Sequence, residues 1–151
     1  MVQQVQSGNA YTLVNVKGGT AVDLSGGDDT SVIGYGFHGG ENQQWVFEER
    51  DGGYAIRNKR AGKYLAVDGS ADNGSRIVAV STENPQIWEV RPDENDSVRI
   101  FVKDQKFNLD LSDHGNPTPG TPVSIWGHWH GQNQLWKLQS GASSDPSRCP
   151  S

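Results

Sequence analysis

The tripeptide frame Gln-x-Trp occurs three times in this chain, as Gln43-Gln44-Trp45, Gln86-Ile87-Trp88 and Gln134-Leu135-Trp136, with the tryptophans 43 and 48 residues apart. Each frame closes a segment that opens on an aromatic or apolar run: Tyr11 to Phe47, Tyr54 to Val90 and Val98 to Leu138. A motif that returns at an interval of this size marks a repeat architecture, in which one unit cannot bury its apolar face alone and its neighbours complete the core. With 151 residues in total, the three units fit one domain large enough to be stable without disulfide or metal staples. That domain is expected to span residues 1–140, with repeats at about 8–48, 53–91 and 97–139, and residues 141–151 read as a flexible tail.

Within each unit, four short runs rich in Val, Ile, Tyr, Phe and Trp alternate with turn formers. The first unit gives YTLVNV, TAVDL, SVIGY and QWVFEE; the second YAIRN, KYLAV, RIVAV and IWEVR; the third VRIFVK, FNLDL, PVSIW and LWKLQ. β-branched and aromatic residues favour strands, and the Gly, Asn, Asp and Pro clusters at 18–19, 26–29, 72–74 and 113–120 supply the turns between them. The pattern predicts an all-β fold of three fourfold-strand repeats with pseudo-threefold symmetry, closed so that few strand edges stay unpaired. The repeated tryptophans are its natural core, since each buries about 200 Å² or more and its indole N–H needs an acceptor that nearby backbone supplies.

Three such closures in a chain of this size resemble the ricin-B-type β-trefoil lectins, particularly the small single-domain lectins of mushrooms, over residues 8–138. Counting back from each Gln-x-Trp shows what else recurs. The first repeat carries Tyr35, His38, Asn42 and Gln43; the third carries Trp126, Trp129, Asn133 and Gln134 at the same offsets. Upstream, Asp23 in GTAVDLS matches Asp110 in KFNLDLS. The second repeat departs from this pattern: by register Val67 stands in place of the aspartate and Pro85 in place of the asparagine.

Sugar hydroxyls both donate and accept, so a carboxylate that only accepts and an amide that does both can hold two neighbouring hydroxyls. The C–H face of a pyranose packs on an aromatic ring. A glutamine that donates to the aspartate fixes its rotamer in advance and lowers the ordering cost of binding. The resemblance implies these roles for Asp23 and Asn42 as hydroxyl ligands, Tyr35 as platform, His38 as a further contact and Gln43 as support. It implies the same for Asp110, Asn133, Trp126, Trp129 and Gln134, while the second repeat is expected to be silent. Other readings stand beside these. Asp23 can cap a turn and Asn42 can tie its own loop; Trp126 and Trp129 can be buried or lie at a subunit contact. The third-repeat loop between Ser112 and Val123, four residues longer than its first-repeat counterpart and holding Pro117, Pro119 and Pro122, can wall off the pocket or extend it.

The net charge of -5, with 13 Lys and Arg dispersed among 18 Asp and Glu, excludes the basic stripe that nucleic acid or an anionic membrane requires. No run of about 18 apolar residues predicts membrane insertion. A lone cysteine, Cys149, rules out an intramolecular disulfide. The first residues show no secretory signal pattern, so the expectation is a cytoplasmic protein, released if at all by a non-classical route. His128 and His130 lack further ligands at metal-binding spacing, no nucleophile motif appears, and Asp23 and Asp110 lie in different repeats and cannot flank one glycosidic bond. No enzyme activity, cofactor or metal is expected.

The expected function is that of a lectin for terminal galactose or N-acetylgalactosamine on glycoproteins or glycolipids, as the resemblance implies, acting in defence by cross-linking glycans. Two sites per chain, or a homodimer, would supply the valency. The alternative is a β-trefoil protease inhibitor acting through an exposed loop, for which residues 113–122 are the candidate, since fold alone does not separate the two. A third reading, a detached sugar-binding module of a glycoside hydrolase, is weakened by the lack of a catalytic domain.

Overall fold

The computed structural model describes residues 5–140, and the expectation of a flexible tail bearing Cys149 lies outside the described residues. The first repeat folds as β1 (Ala10–Asn15), β2 (Ala21–Leu24), β3 (Val32–Tyr35) and β4 (Trp45–Arg50). The second supplies β5 (Gly53–Asn58), β6 (Tyr64–Val67), β7 (Ile77–Val80) and β8 (Trp88–Pro92). The third supplies β9 (Val98–Val102), β10 (Phe107–Leu111), β11 (Thr121–Gly127) and β12 (Trp136–Ser140).

The first and last strands of the repeats close a ring by antiparallel pairing: β1 with β4, β4 with β5, β5 with β8, β8 with β9, β9 with β12, and β12 back to β1. The middle strands of each repeat form a hairpin, β2–β3, β6–β7 and β10–β11. These hairpins meet one another through the β11–β3 pairing and the bridges Ser31–Val78 and Arg76–Ser124. A six-stranded barrel closed at one end by three hairpins, with every repeat giving a third of each layer, is a β-trefoil. Closure removes the unpaired edges that short strands would otherwise expose.

The core lies on the pseudo-threefold axis. Leu13, Ile56 and Ile100 come from the opening strand of each repeat and are fully buried, as are Leu24, Leu65, Leu109 and Leu111 of the hairpins. The tryptophans join the two layers. Trp45, Trp88 and Trp136 are at most 1 % exposed, and each indole N–H donates to a hairpin carbonyl of its own repeat: Val22 at 3.0 Å, Leu65 at 3.1 Å and Leu109 at 3.2 Å. An unpaired buried indole N–H would cost about 1–3 kcal/mol, so these bonds set the register between closing strand and hairpin.

That register corrects one sequence expectation. The residue after the acceptor carbonyl is Asp23 in the first repeat and Asp110 in the third, and in the second it is Ala66, not Val67. The cross-strand partners agree, Asp23 facing Ile33, Ala66 facing Val78 and Asp110 facing Ser124. The indole-to-acceptor separation is 23 residues in both the first and the second repeat, against 27 in the third, so the first repeat's spacing leads from Trp88 to Ala66. Val67 is one residue off that spacing, beside Asp68 in KYLAVDG, which imitates the pattern without occupying the position.

Candidate functional site

In the first repeat, Asp23 leaves the middle of β2 and is 4 % exposed. Its Oδ2 accepts from Gln43 Nε2 at 2.9 Å. Gln43 is itself fully buried, and its remaining capacity is taken up by backbone: Nε2 also donates to Gly36 O at 2.9 Å, and Oε1 accepts from His38 N at 3.0 Å. One glutamine therefore ties the aspartate to the 36–39 loop. The Gln43 side chain rides on a 3-10 turn, Glu41–Gln43, that enters β4. Asn42, on the same turn, donates to Leu24 O at 3.2 Å, so it does tie its loop, while also lining the pocket.

The pocket above Asp23 has a volume of about 230 Å³ and is lined by Asp23, Ser25, Gly26, Ile33, Tyr35, His38 and Asn42. Tyr35 is 45 % exposed and meets the His38 ring edge to face, centroids 6.2 Å apart. His38 Nε2 stands 3.7 Å from Asp23 Oδ2. Burial pushes the Asp23 carboxyl above its ordinary 3.8, with the Gln43 hydrogen bond, the nearby His38 and Asn42 opposing that shift.

The third repeat repeats the construction and tightens it. Asp110 is 4 % exposed and Asn133 3 %. Asp110 Oδ2 accepts from Gln134 Nε2 at 2.9 Å and Oδ1 from Asn133 Nδ2 at 3.0 Å. Asn133 also donates to Leu111 O at 3.1 Å. Gln134 Oε1 is held by Arg99 Nη1 at 2.8 Å, Asn108 Nδ2 at 3.1 Å and Trp129 N at 3.2 Å. Arg99 is buried, and it places the remaining donors on Asp93 and on Trp129 O. Burial raises the Asp110 carboxyl above 3.8, opposed by Gln134, Trp129 and Asn133.

This second pocket, of about 320 Å³, is lined by Asp110, Asp113, His114, Trp126, Trp129 and Asn133. Trp126 and Trp129 are 43 % and 45 % exposed, so neither is buried at a barrel end. The long loop extends the pocket: the turn Ser112–Gly115 sets Asp113 and His114 in left-handed conformations at φ 53° and 54°, and the His114 ring meets Trp129 edge to face at 6.2 Å.

Of the ten sequence-predicted residues, eight line the two pockets, four to each, and Gln43 and Gln134 lie fully buried beneath them, bonded to Asp23 and Asp110. Counting had missed Ser25, although Ser112 matches it in the shared run DLS, and it had missed Asp113, His114 and the buried Arg99, which have no repeated counterpart. It had also missed a glycine pair for which a signal existed. Gly40 and Gly131 each stand five residues before the closing tryptophan, where the second repeat has Glu83. A Cβ on Gly131 would strike the Trp129 ring, and one on Gly40 would come within 2.7 Å of the His38 ring, so glycine lets these rings fold over the turn.

The second repeat forms a broader groove of about 530 Å³ from Ala66, Val80, Thr82, Asn84, Pro85, Gln86, Ile87, Lys103 and Asp104. Ala66 leaves it without a carboxylate floor. Gln86 is half-buried, where Gln43 and Gln134 are fully buried. Elsewhere, His128 and His130 stack edge to face at 6.4 Å, and among the described residues no group of three or more His, Cys, Asp or Glu is placed to hold a metal ion.

A trefoil that keeps a glutamine-held carboxylate under exposed aromatic rings in two of three repeats is, by fold and site, of the lectin type. The chain belongs to the family described as ricin-type beta-trefoil lectin domain-like, whose model matches residues 2–80 and, shifted by about one repeat, residues 41–126. No curated protein sequence matches it. Among solved structures it is similar to the Macrolepiota procera ricin B-like lectin in complex with lactose, at 45% identity and a TM-score of 0.86, over 90% of this chain and 98% of that one. The Rhizoctonia solani agglutinin matches at 26% identity and a TM-score of 0.79, over 92% and 99% of the two chains. The designed threefold-symmetric protein ThreeFoil matches at 26% identity and a TM-score of 0.80, over 85% and 96%.

Proposed function

We propose that this protein is a carbohydrate-binding lectin without catalytic activity, whose working sites are the pockets of the first and third repeats, and that it takes terminal galactose or N-acetylgalactosamine. The observation that carries the reading is the buried aspartate with one oxygen already held by a glutamine, beneath a half-exposed aromatic ring, twice in one chain. Such a carboxylate is held in place before ligand arrives, so little rotamer entropy is lost on binding. The shallow, open pockets suit the end of a glycan, with hydroxyls on the carboxylate and amide and the C–H face on Tyr35, Trp126 or Trp129. The lactose complex of the Macrolepiota procera lectin favours a galactoside among sugars. Two sites on one chain would supply the valency to cross-link glycoproteins or glycolipids, which is the means by which we propose that it acts in defence.

The test is a glycan array on wild type, Asp23→Ala, Asp110→Ala and the double variant, with thermal melts to establish folding. Each single variant is expected to lose part of the galactoside signal and the double variant all of it. Full binding by the double variant would overturn the site assignment. A wild type that binds no glycan would overturn the lectin reading and turn attention to protease inhibition through residues 113–122.

A further inference from the structure

Each pocket-bearing turn is crossed by the strand that opens the next repeat. After β4 the chain turns back as β5, and Lys59 N donates to Gln44 O at 2.9 Å. The same backbone bond recurs where Val16 N meets Leu135 O at 2.9 Å and where Lys103 N meets Ile87 O at 3.0 Å. All three crossings share this frame, the third pocket being crossed by the first repeat because the barrel closes on itself.

A side-chain bond is added at only two of the three. Asn58, fully buried, donates from Nδ2 to the Asn42 carbonyl at 3.0 Å, and its Oδ1 accepts from Arg60 N and Ala61 N, both at 3.1 Å. Asn15, 1 % exposed, donates from Nδ2 to the Asn133 carbonyl at 2.9 Å, and its Oδ1 accepts from Lys17 N at 3.1 Å and Gly18 N at 2.9 Å. The strand pairings place the counterpart in the third repeat: Trp45 faces Asn58, Trp136 faces Asn15, and Trp88 faces Val102. Valine cannot donate. The crossing that lacks the clamp is the one over Pro85 and Gln86, the same turn whose strand carries Ala66 in place of aspartate.

We propose that Asn58 and Asn15 are positioning residues that assemble each pocket from the neighbouring repeat, Asn58 for the first pocket and Asn15 for the third. The inference rests on reading those pockets as sugar sites. The clamp pins the peptide carbonyl of the asparagine whose side chain lines the pocket, one residue before the glutamine that holds the aspartate. It thereby fixes the two amide side chains relative to Asp23 or Asp110. A buried polar side chain at this position has no use where the aspartate and asparagine are gone, and there an apolar residue stands instead.

The test crosses Asn58→Val with Asn15→Val, each copying the residue at the unclamped crossing, and reads two quantities. The first is amide hydrogen exchange without sugar: Gln43 and Gln44 are expected to exchange faster in Asn58→Val while Gln134 and Leu135 are unchanged, and the reverse in Asn15→Val. The second is lactose affinity of single pockets, measured in Asp110→Ala and Asp23→Ala backgrounds. Each variant is expected to lose about tenfold at its own pocket, the size of one lost buried hydrogen bond, and less than about twofold at the other. Asn58→Ser, which removes the donor to the Asn42 carbonyl and keeps a small polar side chain without adding a buried charge, is expected to reproduce the selective effect should the valine variant fold poorly. Equal loss at both pockets, or unchanged exchange at the clamped turn, would overturn the proposal. If wild type binds no sugar, the sugar reading falls and the exchange pattern still decides the clamp.

Discussion

Two aspartates carry the binding reading, and their burial gives it a pH dependence. Asp23 and Asp110 both lie above the ordinary 3.8 because burial penalises the charged form more than their amide donors favour it. A carboxylate must be ionised to accept from two hydroxyls, so galactoside affinity is expected to fade on acidification at a higher pH than an exposed aspartate would dictate. The effect on stability has the opposite sign: a raised carboxyl pKa is a penalty present above the folded value and relieved below the unfolded one, so protonating this pair does not itself unfold the chain. Asp28 behaves in the other sense. Bonds from Ser31 and Thr30 in the exposed 28–31 turn lower it to about 2, and the stability it contributes above 3.8 is lost as pH falls from there through about 2. Lactose titrations beside near-ultraviolet circular dichroism are therefore expected to show binding lost before tertiary structure. Simultaneous loss would mean that the carboxylates are not what fails first.

The elements that build the pockets are turns more than strands, and they reach across repeats. The turn after β6, residues 72–75, belongs to the repeat without a carboxylate, yet it braces β11 beneath the third pocket. Asn73 Oδ1 accepts from Gly127 N at 2.8 Å, Gly74 N donates to Ile125 O at 2.8 Å, and Ser75 O accepts from Ile125 N at 2.9 Å. Gly74 has φ +88°, and a Cβ there would lie 3.3 Å from Trp126 Cζ2. Gly74→Val is expected to cost about 1–3 kcal/mol through the left-handed backbone and to push Trp126 from its position. Single-pocket titrations should then show several-fold weaker binding at the third repeat and none of that loss at the first. Unaltered affinity at the third repeat would mean that the Trp126 ring tolerates displacement. The Arg99 network belongs to the same scale, since β9 sends one side chain under both Gln134 and the 127–130 loop.

At the scale of the molecule, the pseudo-threefold axis puts the two pockets on different faces of one barrel. If both pockets bind as proposed, a chain so arranged would bridge two glycans without a partner. Galactose-bearing vesicles are expected to aggregate with wild type, and to bind Asp23→Ala or Asp110→Ala without aggregating. Aggregation by a single-pocket variant would instead show that a homodimer supplies the second site, and sedimentation of the same samples would show the doubled mass. The second repeat has a use in this scheme without binding anything: it closes the barrel, supplies Asn58 to one pocket and Gly74 to the other.

The fold was legible in the chain because its signals are local and repeated. Gln-x-Trp, four apolar runs and turn formers between them recur three times, and no arrangement but closure lets three incomplete units share one core. The ten candidate site residues were legible for the same reason, eight as offsets from Gln-x-Trp and the two aspartates through the shared run DLS. Val67 is one residue away from the position that Ala66 occupies, although the separation of 23 residues shared by Trp45–Val22 and Trp88–Leu65 makes that register readable in the chain. In the third repeat, where the separation is 27, the shared run DLS carries the register instead. Arg99 and His114 have no repeated counterpart, and although Asn15 and Asn58 recur four residues after Tyr11 and Tyr54, what they hold is not readable from the chain, since the partner lies 118 positions away for Asn15 and Asn133. Periodicity along the chain determines which strands and side-chain types exist. Which side chain closes on which turn is a matter of barrel closure, which brings the first repeat against the last, and only the tertiary structure decides it.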